Sequence, residues 1–438
     1  MTTSPASEPQ YSGVDLAGIG FGPSNLAVAI AADEAARSGA APRPLTHAYF
    51  ERQPVFGWHR GMLIEGATMQ VSFLKDLVTL RNPASEYSFV AYLHAKNRLP
   101  DFINNHTMFP SRTEFHDYLE WAALPFAGRV RYGVEVTQIK PVVDAGVVTH
   151  LDIVGREAGR PDRQVVQRAA NLVIGTGITP HLPDGVVTSN RVWHSARLMD
   201  AVADLAASNP RRIFVVGAGQ SAAEAADCLL RRCPTAEVCT VYSRFGYGVA
   251  DDSAFANRIF DPESVDLLYS APEDIRRQML AYHANTNYSV VDLELCQSLY
   301  RTQYEERVAG GTSRLRIMNA STVRAVEEGA DGVRVDVESL LTGRVETLSA
   351  DAVVYATGYR PSDPAPLLDA IAAECKHDGD GRLVLDRDYR VITSDAVACA
   401  IYLQGAVAEP SHGISAGLLS TTAVRSGEIV RSVLRRIR

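Results

Sequence analysis

Two stretches of this chain, about 200 residues apart, carry the same order of apolar and polar positions. Residues 14–20 (VDLAGIG) form a short apolar run closing on glycines, and residues 24–37 (SNLAVAIAADEAAR) follow with helical spacing behind a Ser/Asn start. That spacing predicts a strand, a tight turn and a helix. A second strand is expected over 47–52 (HAYFER), so the first 52 residues make one βαβ unit. The pattern returns at 212 (RIFVVGAGQSAAEAADCLLRR), with 237–244 (EVCTVYSR) as its next strand.

Between and after these units the periodicity changes. Residues 53–125, aromatic and rich in Gly and Pro, predict ordered loops and short helices over a site. Segment 127–173 alternates apolar and polar residues and predicts a β-meander returning to the sheet. Residues 250–310 turn helical and are the candidate accessory module, strands resume over 315–355, and a last helix is expected from about 415 to 437. The closing strand and helix are expected to rejoin the first unit. No solenoid-type repeat interrupts this plan.

Composition narrows the partners. A 438-residue chain that is 46% hydrophobic can bury more core than one domain usually holds. A net charge of −8 with scattered basic residues offers no face for nucleic acid. The six cysteines form no C-x-x-C pair and sit mostly in apolar segments, as buried free thiols of a reducing cytoplasm do. No segment reaches the ~20 apolar residues of a membrane span, the first 13 residues lack the pattern of a secretory leader, and the first dozen are expected to be a disordered tail.

The glycines carry the first chemistry. Gly18, Gly20 and Gly22, followed by Pro23 and Ser24, lie between strand and helix, where they permit the turn and close approach of a pyrophosphate to a helix N-terminus. Pro23 stands where a third glycine is usual, and proline suits a first helical turn. Glu51, at the end of the second strand, is placed for a ribose hydroxyl. Gly217, Gly219, Gln220 and Ser221 repeat the motif, and their next strand ends in Ser243 and Arg244, a basic end that suits the extra phosphate of NADP. A Gly-rich turn of another α/β fold and a solvated terminal arginine are the alternatives. Two such motifs in one chain imply two dinucleotides and electron transfer between them.

Residues 354–361 (VYATGYRP), with Thr357 and Gly358, resemble the element that returns the chain to the FAD domain in two-dinucleotide flavoproteins. The missing cysteine pair argues against a disulfide reductase. Residues 190–195 (NRVWHS) hold a histidine but lack the spacing of the external sulfide- and ketone-oxidising monooxygenases. By contrast, 69–76 (MQVSFLKD) with Leu77, Asn82 and Pro83 resemble a segment of the ornithine N-monooxygenases of hydroxamate siderophore biosynthesis. So do 251–257 (DDSAFAN), 285–292 (NTNYSVVD), and 412–415 (HGIS) with 418–420 (LLS). These matches run nearly the whole chain, in order.

That resemblance implies an α/β protein with two Rossmann-like dinucleotide-binding domains, for FAD and NADPH, and a smaller helical substrate-binding insertion. The boundaries expected are 12–190 for the first part of the FAD domain, 205–249 and 311–346 for the NADPH domain, 250–310 for the insertion and 347–438 for the return segment. It implies that oxygen is activated at the flavin and passed to the side-chain amine of L-ornithine; L-lysine, a diamine, or a sulfide or ketone are the alternatives. Lys75, Asn257 and Asn287 would grip the carboxylate and α-amine of the substrate, and Ser420 would add a contact near its side-chain amine. Gln70 would lie by the flavin and nicotinamide; Trp58 and Leu419 would also border the cofactors. Gln70 and Asn287 act by positioning, no residue is assigned as acid or base, His412 is expected to cover the flavin without acting as a base, and no metal is needed. A cytoplasmic homotetramer is implied as well.

Overall fold

A computed structural model describes residues 13–437; the expected disordered tail over the first dozen residues lies outside the described residues. Two five-stranded parallel sheets form the frame. The first is ordered Ala400–Leu403, Asn171–Ile174, Leu16–Ile19, His47–Glu51 and Val130–Tyr132. The second is ordered Leu315–Met318, Glu237–Val241, Arg212–Val216, Ala352–Tyr355 and Val192–His194. Helices Pro23–Arg37 and Gln220–Arg232 follow the two glycine turns. The expected fold class, α/β with two Rossmann-like domains, is the one observed.

Each parallel sheet has an antiparallel three-stranded companion. Val134–Asp144, Val147–Glu157 and Arg160–Ala169 form one, and Ser321–Gly329, Gly332–Ser339 and Val345–Ala350 the other. The meander expected over 127–173 therefore does not return whole to the first sheet: only Val130–Tyr132 and Asn171–Ile174 join it. Tight turns such as that at Ala145 and Gly146 make neighbouring strands antiparallel, whereas joining a parallel sheet needs a crossover. Two expected boundaries also shift. Val192–His194 and Ala352–Tyr355 pair with each other in the second sheet, so the return placed at 347 begins only after Tyr355.

The chain passes between the two frames through one short antiparallel pair, Ile178–Pro180 against Tyr359–Pro361. Thr357 and Gly358 pin this crossing. The Thr357 hydroxyl donates to the His181 carbonyl, and the Gly358 carbonyl accepts from His194 Nε2 at 2.9 Å.

Segment 250–310 holds helices Pro262–Ser270, Glu273–Tyr282 and Leu293–Val308 with two short 3-10 turns. It bridges the frames: Val265 packs in the first core, Val291 and Leu299 in the second. The last helix, Thr422–Arg436, starts later than expected, because 414–421 form two 3-10 turns instead.

Candidate active site

The first glycine turn is shaped by what surrounds it. A Cβ on Gly18 would overlap the Tyr49 ring, and Gly20, at φ +80°, would place one 2.5 Å from the Gly175 carbonyl oxygen. Gly22 caps the helix with no side chain on its N-terminal amides and nothing within 4 Å of a Cβ. Such an open, glycine-lined helix start is an anion cradle and fits the pyrophosphate of FAD. Pro23 and Ser24 open the helix, as the sequence predicts. Glu51 is buried, and its carboxylate accepts from the amides of Phe21 (2.7 Å) and Gln53 (2.9 Å). The residue expected to meet a ribose hydroxyl thus braces the first glycine turn through one carboxylate oxygen and the chain just past its own strand through the other.

The second turn repeats the device. Gly217 has φ +141°, and a Cβ there would overlap the Ala356 carbonyl oxygen. Gly219 caps helix Gln220–Arg232, and a Cβ there would sit 3.4 Å from Ser289 Cα. Arg244 is exposed and donates to the Ser289 carbonyl at 2.7 Å, while Gln220 accepts from the Asp292 amide at 2.8 Å. Ser289 and Asp292 of the insertion therefore line the second cradle, with Ser221 following Gln220 on the helix. A glycine turn with an exposed arginine, held by one backbone carbonyl, past the end of the next strand fits NADPH.

Lys75 reaches toward the insertion. Its Nζ stands 5.8 Å from the Phe260 ring centroid, and no described carboxylate lies within 4.0 Å of it. No salt bridge forms to Asp76, the neighbouring acid in sequence. Asp76 is buried and accepts from the amides of Val78, Thr79 and Phe89 and from the Thr79 hydroxyl, at 2.6 to 2.9 Å. The neighbouring aspartate thus builds the loop, leaving the lysine's charge available.

Asn257 shares the 3-10 turn Ala256–Phe260 with Phe260, and its amide donates to the Asp252 carbonyl at 2.7 Å. Asn287 ends the turn Ala284–Thr286 next to Tyr288, whose hydroxyl donates to Glu409. Ser420 is buried in the turn Leu419–Thr421. Leu419 packs with Trp58, Met69 and Phe73 in one apolar cluster, and the exposed Gln70 follows Met69 directly. Lys75 approaches Phe260 in the turn that also holds Asn257, Asn287 stands two residues before Ser289 of the second cradle, and Leu419 and Trp58 pack on the cluster that contains Met69, next to Gln70 in sequence. Among the described residues no three His, Cys, Asp or Glu could hold a metal ion.

Residues that the sequence did not single out complete the site's frame. Arg112 forms a two-pronged ion pair with Glu224 (2.6 and 2.8 Å) and donates to the Met62 carbonyl at 3.0 Å. Glu224 also accepts from Gln220 at 2.9 Å, so the pair ties the 53–125 region to the second cradle and, through Asp292, to the insertion. Helix patterning offered one signal: Glu224 falls on the apolar face of Gln220–Arg232, where an acid needs a partner. Gly61 packs so closely on Ala196 that a Cβ there would overlap its carbonyl oxygen.

His412 is wholly buried and stacked on Tyr389 at 4.0 Å, and its Nε2 donates to the Arg387 carbonyl at 3.1 Å. Burial pushes its imidazole down to about 4, so it stays neutral and serves structure. An unfolded histidine titrates near 6.5. Its contribution to stability is therefore complete above pH 6.5 and lost as pH falls toward 4, about 3 kcal/mol in all. His412→Gln should flatten this acid limb. Urea midpoints at pH 7 and pH 4.5 measure it, and an unchanged difference between them would contradict the assignment.

Comparison with known proteins adds a family. The profile described as L-lysine 6-monooxygenase/L-ornithine 5-monooxygenase matches residues 12–361. The L-ornithine N(5)-monooxygenase of Burkholderia cepacia is 43% identical over 408 residues, covering 91% of this chain and 89% of that protein. Among solved structures, the Kutzneria sp. 744 ornithine N-hydroxylase, with reduced FAD, NADP+ and L-ornithine, superposes with a TM-score of 0.91 at 45% identity over 97% of this chain and 100% of that one. The L-lysine 6-monooxygenase of Pseudomonas syringae gives 0.84 at 33% identity over 97% of this chain and 100% of that one.

Proposed function

Because this chain belongs to the L-lysine 6-monooxygenase/L-ornithine 5-monooxygenase family, we propose that it is an FAD- and NADPH-dependent monooxygenase that hydroxylates the side-chain amine of L-ornithine. One observation carries the reading: two glycine cradles stand in one chain, a helical insertion lines the second and packs on the core of the first frame, and Lys75, with no described carboxylate within 4.0 Å, stands against that insertion. Bound FAD, holding two electrons from NADPH, would activate molecular oxygen so that one atom goes to the amine and the other leaves as water.

The chain's own residues do the rest. The Lys75 ammonium takes the substrate carboxylate, and the amides of Asn257 and Asn287, each both donor and acceptor, hold the carboxylate and α-amine. Ser420 steadies the far amine, and Gln70 lies where flavin and nicotinamide meet. With the amino acid held at its head, side-chain length decides which amine meets the oxygen. The higher identity to ornithine enzymes than to the lysine enzyme supports ornithine.

The product enters a hydroxamate siderophore or peptide. A homotetramer in the cytoplasm completes the proposal. Supporting it, helix Leu293–Val308 exposes Leu293, Tyr300, Tyr304 and Val308 along one side, and none of the described helices is long and apolar enough to cross a membrane. Purified protein with FAD and NADPH should turn over ornithine with a kcat/KM at least about 10-fold above that for lysine, one methylene longer. Equal or better hydroxylation of lysine would overturn the choice of ornithine.

A further inference from the structure

Arg425 lies in the last helix, where an arginine reads as solvent-facing, yet it is 1% exposed. No described carboxylate stands within 4.0 Å of it. The nearest acid along the helix, Glu428, is engaged with Arg387 at 3.0 and 3.1 Å. All four acceptors of Arg425 are neutral: Gln404 Oε1 (3.2 Å), the Ala416 carbonyl (2.7 Å), Thr422 Oγ1 (3.1 Å) and Ser24 Oγ (3.4 Å). A buried guanidinium without an opposing charge is costly.

Its hydrogen bonds lead in one direction. Arginine only donates, so Gln404 must turn its oxygen toward Arg425 and its amide nitrogen away. That nitrogen donates to Asn25 Oδ1 at 3.1 Å and to the Ser24 carbonyl at 3.4 Å. Asn25, itself with no exposed surface, must then present its own nitrogen, which donates to the carbonyls of Ile19 (3.1 Å) and Gly20 (2.7 Å). The chain of bonds ends inside the first glycine turn, holding its carbonyls inward and leaving the helix amides facing out. The same asparagine explains a glycine, since a Cβ on Gly175 would come 3.0 Å from its nitrogen, and it adds a 3.1 Å contact at Gly18, where the Tyr49 ring already stands in the way.

We propose that Arg425 is the positioning residue of the FAD pyrophosphate site: it fixes the orientation of Gln404 and Asn25, and its charge, which no described carboxylate meets within 4.0 Å, favours the cofactor's phosphates. This rests on FAD occupying the first cradle. The affinity for FAD is therefore written partly in the last helix, about 400 residues from the turn it serves.

The test uses the full-length chain stripped of flavin, with FAD and NADP+ titrated separately and thermal unfolding followed with and without FAD. Arg425→Met should raise the Kd for FAD about 30-fold and shrink the FAD-induced rise in Tm. The Kd for NADP+ should stay within about two-fold, and the flavin-free Tm should not fall, since an unpaired buried charge has been removed. Arg425→Lys should recover part of the FAD affinity. If Arg425→Met fails to fold, Gln404→Glu serves: it pairs the guanidinium but cannot donate to Asn25. It should raise the flavin-free Tm while weakening FAD about 10-fold. Wild-type FAD affinity in a folded Arg425→Met or Gln404→Glu protein, or equal losses for FAD and NADP+, would overturn the proposal. These titrations need no substrate. A wild-type protein that fails to hydroxylate ornithine while its FAD affinity depends on Arg425 would refute the activity and leave this inference standing.

Discussion

Lys75→Ala is expected to lower kcat/KM for ornithine about 10³-fold, the loss that follows when one partner of a shielded charge pair is removed. The fold should not suffer. Lys75 forms no ion pair with any described carboxylate, and its one contact of note is with the Phe260 ring. The stability of the loop rests on Asp76, whose carboxylate takes three backbone amides and one hydroxyl. NADPH oxidation should continue in the variant and release peroxide, because both glycine cradles are left intact. Putrescine, which has no carboxylate, should react with variant and wild type alike. Initial rates with both substrates measure this, and normal ornithine kinetics in the variant would remove Lys75 from the substrate site.

Glu224→Ala should cost the folded protein about 3–5 kcal/mol, because it leaves the Arg112 guanidinium buried without its partner. The side chains of the pair are 13% and 5% exposed, so water does little to screen the loss. Two further contacts go with it, the Gln220 amide and, through Gln220, the anchoring of Asp292. Chemical denaturation read by circular dichroism gives the loss directly. Arg112→Met combined with Glu224→Leu should recover most of it, since two apolar side chains leave no orphaned charge. A Glu224→Ala midpoint within error of wild type would mean that the pair holds nothing together.

What the sequence disclosed was local. Both glycine turns, their strands and their helices lie within stretches of about 40 residues, and the period of apolar positions changes visibly where strand gives way to helix. The insertion was legible for the same reason. The antiparallel companions were misassigned because alternation reports a strand and not the sheet it joins. The same limit hid Val192–His194 and Ala352–Tyr355, neighbours in one sheet but 160 residues apart in sequence at Val192 and Ala352.

The site residues divide along the same line. Lys75, Asn257 and Asn287 came from family resemblance, since nothing nearby in sequence distinguishes them from helix caps and surface cations. Phe260, which meets Lys75 from the turn that holds Asn257, makes its contact only in the folded chain. Arg112 and Glu224 are 112 residues apart, and Arg425 stands 401 from Ser24, so no pattern in either neighbourhood could announce them. Burial of an arginine in an otherwise ordinary helix is decided by what packs on it from elsewhere.

The proposed activity consumes NADPH, oxygen and ornithine together in one coupled reaction. Its most direct test is the stoichiometry of a single incubation of FAD-loaded protein, with NADPH loss, oxygen uptake and the mass of the amino-acid product followed at once. Ornithine heavier by one oxygen atom, on the side-chain nitrogen, should form nearly one for one with NADPH oxidised. NADPH oxidation yielding peroxide alone, with ornithine recovered unchanged, would contradict it.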